Sequence, residues 1–199
     1  MNDTDTQTSP DAHALTPIKI AVIQGTTRKL RRSINAARFV AKVGAEIPGV
    51  EIIFVDIANL NVPLDTDGND PDGKDPAYTK ITEEADAYFI VVPEYNHSFP
   101  GSLKRVLDSE LKTYNHKPVA FAGVSSGKIG GARAIEQLVL ATRETGMAAL
   151  SVDVHFPEVQ NLFDEQGNLL DDAYERRVKR IYTELIWMAK TLKWGRENL

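Results

Sequence analysis

The chain has 199 residues, 42% of them hydrophobic, and a formal net charge of −5: enough apolar material for one core, and no positive footprint for nucleic acid or anionic lipid. It contains no cysteine, which excludes disulfides, thiolate catalysis and cysteine-ligated metal or iron–sulfur centres and fits a cytoplasmic location. No apolar run approaches the roughly 20 residues of a membrane span, and the polar residues 1–16, without the basic start and apolar centre of a signal peptide, read as a disordered leader.

From Pro17 onward, short apolar runs alternate with helical periods, giving one expected domain over residues 17–195 and a tail at 196–199. Ile18 to Ile23 is a first strand, closed by Gln24-Gly25. Ser33 is placed to cap a helix that turns Ala37, Val40 and Val43 inward, and Pro48-Gly49 ends it. Glu51 to Ile57, rich in β-branched residues, is a second strand; the irregular stretch Ala58 to Asp75 follows, with several Asp, Gly and Pro residues, and suits a mobile flap. A short helix over 77–86 leads to a third strand, Ala87 to Val92. The next helix spans 101–114, with Leu103, Leu107 and Leu111 at steps of four, and a fourth strand covers 119–124. A glycine-rich turn opens a helix over 131–145, and a fifth strand covers 149–154. The last helix begins near Asp171 and carries Tyr174, Val178, Ile181, Leu185, Met188 and Leu192 on one stripe, with Trp187 and Trp194 expected to pack.

Five strands alternating with five helices predict a doubly wound α/β sheet, mostly parallel and covered on both faces. Ligands of such sheets bind beyond the carboxyl ends of the strands, where strand order reverses. The loops after strands one, three and four are therefore the ones to inspect.

The first loop, "QGTTRKLRRSIN", combines hydroxyls at Thr26 and Ser33 with the Arg28 guanidinium, just where a helix start presents unpaired N–H groups and a positive dipole end. That combination suits an anion, and a phosphate group above all; turn and cap roles account for Ser33 alone. Lys29, Arg31 and Arg32 either meet a further phosphate or form a solvated basic face. In the second loop Pro93 stops the strand without donating a hydrogen bond. Glu94-Tyr95-Asn96 then offer main-chain amides, a side-chain amide and a ring to a flat heteroaromatic ligand, or form a surface turn; His97 is open between packing and chemistry. The third loop, Gly123 to Leu138, places Ser125, Ser126 and Gly127 among four glycines, which let backbone approach a ligand edge or another chain closely. No G-x-G-x-x-G follows the first strand. The Walker-like Gly123 to Lys128 is one residue short and has Ile129 where a Ser or Thr must stand. A calcium loop at Asp65 fails because Asp70 holds the glycine position and Pro76 the glutamate position.

Three motifs carry a resemblance. Pro93-Glu94-Tyr95-Asn96, Ser98, Pro100-Gly101, Leu103-Lys104 and Asp108 match the pattern P-E-Y-N-x-S-x-P-G-x-L-K-N-x-x-D, with Arg105 in place of its Asn. Ser125-Ser126-Gly127 with Gly130-Gly131 and Arg133 is the second, and Gly25-Thr26-x-Arg28 with Ser33 and Asn35 the third. From Ile18 to Lys193 the chain resembles the NADPH-dependent FMN reductase family of flavodoxin-like proteins, which includes quinone, azo-dye and chromate reductases.

The resemblance implies a flavodoxin-like sheet of strand order 2-1-3-4-5 holding FMN, with NADPH or NADH as co-substrate and a quinone, azo, metal-ion or free-flavin acceptor. It places Thr26, Arg28, Ser33 and the amides of Ile34 and Asn35 on the phosphate. Pro93, Glu94, Tyr95, Asn96 and His97 would meet the ribityl chain and ring, and Ser125, Ser126 and Gly127 the ring's other side. No general acid, nucleophile or metal is implied, because flavin supplies the chemistry. It also implies a homodimer or homotetramer, consistent with apolar residues on more than one side of the helices at 101–114 and 131–145. An electron carrier without nicotinamide turnover is the alternative.

Overall fold

The computed structural model describes residues 16–65 and 68–199; the expected leader, Thr16 apart, lies outside the described residues. Its elements run β1 (Ile18–Gln24), α1 (Ser33–Ala45), β2 (Val50–Asp56), α2 (Pro76–Glu84), β3 (Ala87–Pro93), α3 (Gly101–Asp108), β4 (Pro118–Val124), α4 (Ala132–Glu144), β5 (Ala148–Ala149), β6 (Val154–Phe156) and α5 (Ala173–Asn198). The strands pair in parallel in the order β2-β1-β3-β4-β5, with β6 also on β4. This is the flavodoxin-like order expected from the sequence.

Alternate strand residues face two separate cores, which is why the strands read as unbroken apolar runs. Ile20, Val22, Phe89, Val91, Ala120 and Ala122 pack against α1 and α5. Ala21, Ile23, Tyr88, Ile90, Val92, Val119 and Phe121 pack against α2, α3 and α4. Because all strands are parallel, every βα loop opens at the same edge of the sheet, and β1 and β3 lie side by side there with their connections on opposite faces.

Several elements differ from expectation for identifiable reasons. The fifth strand is two pieces: Val119 pairs with Ala149 and Ala122 with Val154, so three steps along β4 correspond to five along the edge strand. The extra residues loop out at Ser151 and Asp153, both exposed. Helix α3 stops at Asp108, where the buried Ser109 hydroxyl turns back onto Val106 O (2.8 Å); Leu111 lies beyond it, before a separate 3₁₀ turn, Lys112–Tyr114. The apolar residues of α3 accordingly all point inward, and on α4 only Leu140 is largely exposed. Helix α5 runs on through the expected tail. Arg196 donates to His116 O (2.6 Å), and Arg196 and Lys193 both pair with the buried Asp86 carboxylate (3.3 and 3.0 Å). Trp187 and Trp194, seven residues apart, are about 60% exposed because the buried stripe of α5 runs through Val178, Ile181, Tyr182, Leu185 and Ala189 instead.

The described parts of the stretch expected as a flap, 58–65 and 68–75, are tied down at several points. Asp75 caps α2 through Ala77 N and Tyr78 N, and also receives Asn61 N. Lys74 reaches Glu110, a fully buried carboxylate that Thr79 also bonds. Gly68 lies against Asp108 O so closely that a Cβ there would stand 2.7 Å from it.

Candidate functional site

The first loop leaves β1 through Gly25, whose N–H bonds Val91 O (2.9 Å). A Cβ at this position would stand 2.9 Å from that same oxygen and 3.1 Å from Leu103 Cδ2, so glycine lets β1 turn directly over β3. The buried Gln24 side chain then fixes Thr26 from both sides, accepting Thr26 N (3.1 Å) and donating to Thr26 O (3.4 Å). Thr26 Oγ1 receives Arg28 N (3.3 Å) and shares a 2.9 Å hydrogen bond with Tyr95 OH. The first and second loops are therefore latched together by two side chains that the sequence separates by 69 positions.

The helix start differs from expectation in an informative way. Arg32, not Ser33, occupies the N-cap position of α1, and no side chain caps the helix. Ser33 is the first helical residue; its hydroxyl is buried and has no partner. The Arg31 guanidinium pairs with Asp56 at the end of β2 and donates to Arg28 O (3.1 Å), while its buried Nε has no partner. Arg31 is thus built into the loop rather than solvated. Arg28, Lys29 and Leu30 are exposed at its rim.

In the second loop, Glu94 N bonds Val124 O (2.9 Å), and Tyr95 and Ser98 exchange two backbone bonds (2.8 and 3.0 Å) around Asn96 and His97. Both central residues are left-handed (φ +49° and +66°), the backbone of a two-residue hairpin turn. Asn96 and His97 consequently project outward and are exposed. The Glu94 carboxylate turns the other way, is buried, and pairs with Arg133 from α4. Arg133 NH1 also lies 2.8 Å from His97 Nε2, which must be the acceptor because a guanidinium only donates. One Glu94 oxygen, Oε2, is buried without a partner.

Two glycines of the third loop, Gly123 and Gly131, serve the loop's own packing. Gly131 is left-handed (φ +83°), and a Cβ there would stand 2.4 Å from Val124 N; one on Gly123 would stand 2.4 Å from Gly130 O. Backbone crosses backbone at Gly123 and Gly131, which a side chain at either position would prevent, while a Cβ on Gly127 would meet open space. Gly131→Ala is therefore expected to cost about 3 kcal/mol, from left-handed strain of about 1 kcal/mol and overpacking of about 1–3 kcal/mol. Urea unfolding checks this, and an unchanged midpoint would contradict it. The Ser125 hydroxyl is spent inside the loop, donating to Gly127 O (2.8 Å) and accepting Gly130 N (3.0 Å). Of the hydroxyls at Thr26, Ser33 and Ser125, only that of Ser33 has no partner within the protein.

These loops enclose a cavity of about 370 Å³ at the carboxyl edge of the sheet. Thr26, Arg28 and Ser33 line one side; Pro93, Glu94 and Tyr95 another; Ser125 and Ser126 a third. Ile34, Asn35, Asn96, His97 and Gly127 do not line it: the hairpin turn sends Asn96 and His97 outward, Gly127 O is held by Ser125 and Glu158 N, and Asn35 lines an adjoining cavity. A fourth wall carries no motif. Val159 and Gln160 follow β6 and are drawn in by Ser125 N to Phe156 O (3.2 Å) and Val159 N to Ser125 O (3.1 Å). Leu30, Arg31, Arg32 and Val124 complete the lining. An open cleft bounded by arginines and a helix start on one side and by Pro93, Tyr95 and Val124 on another can seat an anionic group joined to a flat ring.

The model of the NADPH-dependent FMN reductase family matches residues 18–161, a stretch that takes in all four walls. The chain belongs to this family. Among relatives, a 2-hydroxy-1,4-benzoquinone reductase of a Burkholderia species is 36% identical over 91% of this chain and 98% of its own length. An NAD(P)H-dependent FMN reductase of Pseudomonas aeruginosa is 33% identical, over 87% of this chain and 96% of its own. Among solved structures, the flavoenzyme NAD(P)H:(acceptor) oxidoreductase of Paracoccus denitrificans superposes with a TM-score of 0.69 at 22% identity, covering 87% of this chain and 97% of that one. An archaeal flavodoxin gives 0.56 at 14%, covering 88% and 99%, so this chain has the flavodoxin-like fold. No helix among the described residues is long and apolar enough to cross a membrane.

Proposed function

We propose that the protein is an NAD(P)H-dependent FMN oxidoreductase that delivers electrons to a quinone-type acceptor. The observation that carries this is the pair of buried, unpartnered polar atoms, Ser33 Oγ and Arg31 Nε, beside a helix start in the cavity's basic wall. An unpaired buried polar group costs about 1–3 kcal/mol, and a phosphate offers acceptors for both. Ser33, the first-turn N–H groups of α1 and the arginines of the loop would hold the phosphate; Pro93 to Tyr95 and Ser125-Ser126 would border the ring. Bound FMN supplies hydride acceptance and onward electron transfer.

The chain's own contribution is placement. The Thr26–Tyr95 bond fixes the distance between the phosphate loop and the ring wall. Arg133 neutralises Glu94, so that carboxylate does not repel an anionic flavin, while its free oxygen can accept an N–H or O–H. An electron carrier is disfavoured by three arginines in the first loop and a net charge of only −5. The purified protein should form a yellow complex at micromolar FMN and oxidise NADPH when a quinone is added. No visible complex would remove the assignment. We further propose a homodimer or homotetramer, favoured by the exposed Leu140, Trp187 and Trp194; a monomeric mass in solution would contradict it.

A further inference from the structure

Past Arg32 the cleft continues into a second cavity of about 300 Å³, which shares Arg32, Val159 and Gln160 with the first and reaches on to Asn35, Phe163 and Glu165. We propose that this second cavity is a subsite for adenosine carried on a phosphate, so that the protein accepts a dinucleotide flavin, FAD, across both cavities. The proposal rests on the flavin assignment above.

Three features distinguish the cavity from a plain anion site. Its near end is cationic: Arg32 spends one N–H on Gln160 O at 3.4 Å and keeps its remaining donors at the junction. Its far end is acidic. Asp164 accepts Asn168 N (2.7 Å) and Asn168 Nδ2 (2.9 Å), bonds that hold its carboxyl below the usual range, and exposed Glu165 stands beside it. Carboxylates only accept, so this end repels a second phosphate and suits the hydroxyls of a ribose. At the junction, Gln160 donates through Nε2 to Ser126 O (3.1 Å), which leaves its Oε1 buried without a partner. That oxygen calls for an O–H or N–H, which a sugar or an amino-purine has and an ionised phosphate lacks. Cation first, acceptors beyond, with the Asn35 amide and Phe163 alongside: this is the order of groups along a 5′-phosphoadenosine.

The same adenosine could also arrive as part of the nicotinamide coenzyme, in which case the carboxylates would disfavour a 2′-phosphate and NADH would be preferred to NADPH. Calorimetry separates the sources. Flavin-free protein is titrated with FMN and with FAD, FMN-loaded protein with AMP, and each titration is repeated with Glu165→Gln, an exposed position outside the flavin-binding wall. FAD binding about tenfold or more tighter than FMN, with that margin lost in Glu165→Gln while FMN affinity is unchanged, supports the subsite with FAD as occupant. Equal FMN and FAD affinities, with AMP saturating the FMN-loaded protein and weakened about tenfold by Glu165→Gln, overturn FAD as the occupant and keep the adenosine subsite with the nicotinamide coenzyme as its source. FMN binding with no FAD advantage and no saturable AMP binding overturns the subsite and leaves the flavin assignment standing. Failure of FMN itself to bind removes both.

Discussion

Replacing Ser33 with Asp should abolish micromolar FMN binding while leaving the protein folded. The Ser33 hydroxyl is buried in the basic wall of the cavity with no partner, where a ligand phosphate would meet it. A carboxylate there opposes that phosphate. Two unit charges 4 Å apart at an effective dielectric of about 20 repel by about 4 kcal/mol, a loss of about a thousandfold in affinity. The fold should survive for a reason visible in the helix: α1 has no acidic residue in its first turn and no side-chain cap, and a negative charge there interacts favourably with the helix dipole by about 0.3–1 kcal/mol. Flavin titration and thermal unfolding of the apo-protein read the two effects separately. FMN binding within tenfold of the unaltered protein would place the phosphate elsewhere.

The second large effect concerns pH. Tyr78, Tyr88, Tyr114 and Tyr182 are fully buried, and burial raises all four phenols above their ordinary pKa. Their hydroxyls are also engaged as phenols: Tyr78 with Tyr114 (2.9 Å), Tyr88 onto Thr82 O (3.1 Å) and Tyr182 onto Val40 O (2.9 Å). Above about pH 10 the unfolded chain releases protons that the folded chain retains. The stability these groups give is therefore intact below pH 10 and falls as pH rises towards their folded values. Four such groups remove about 5.4 kcal/mol per pH unit, against a typical domain stability of about 5–15 kcal/mol. Cooperative unfolding is expected within about one to three units above pH 10.

Lys117 acts with the opposite sign. Its ammonium is buried against Thr82 O (2.5 Å) and Glu83 O (3.3 Å), and burial lowers its pKa to about 8. The cost of holding it charged is relieved as pH rises from about 8 towards 10.5, at about 1.4 kcal/mol per unit. Urea midpoints followed across this range should rise gently, then collapse as tyrosinate absorbance appears in the same step as helix loss. Tyrosines ionising gradually with the helical signal intact would contradict the account.

Within this fold, local chemistry and long-range geometry made separable contributions to the site. Pro93 ends β3, Gly25 permits the turn over Val91, and the apolar runs are parallel strands. Each is a property of a few consecutive residues, so strand positions, loop positions and the family motif were legible in the sequence, and the strand order was implied by the resemblance that motif carries. The direction of each side chain was not. Asn96 belongs to the motif and His97 fills its variable position, yet both sit in a left-handed turn and neither lines the cavity. Ser33 looked like a cap and is instead an unpaired donor.

What the sequence determined by itself is the alternation of strand and helix and the punctuation between them, because hydrophobic period and turn chemistry act over neighbours. Only the tertiary structure decided which charges meet. Arg31 finds Asp56 on the adjacent strand, Arg133 crosses from α4 to Glu94, and Gln160 reaches the cavity because β6 hydrogen-bonds to β4. The physical reason is that an ion pair or a cavity wall depends on distance in space, and sheet pairing brings together residues that no local pattern connects.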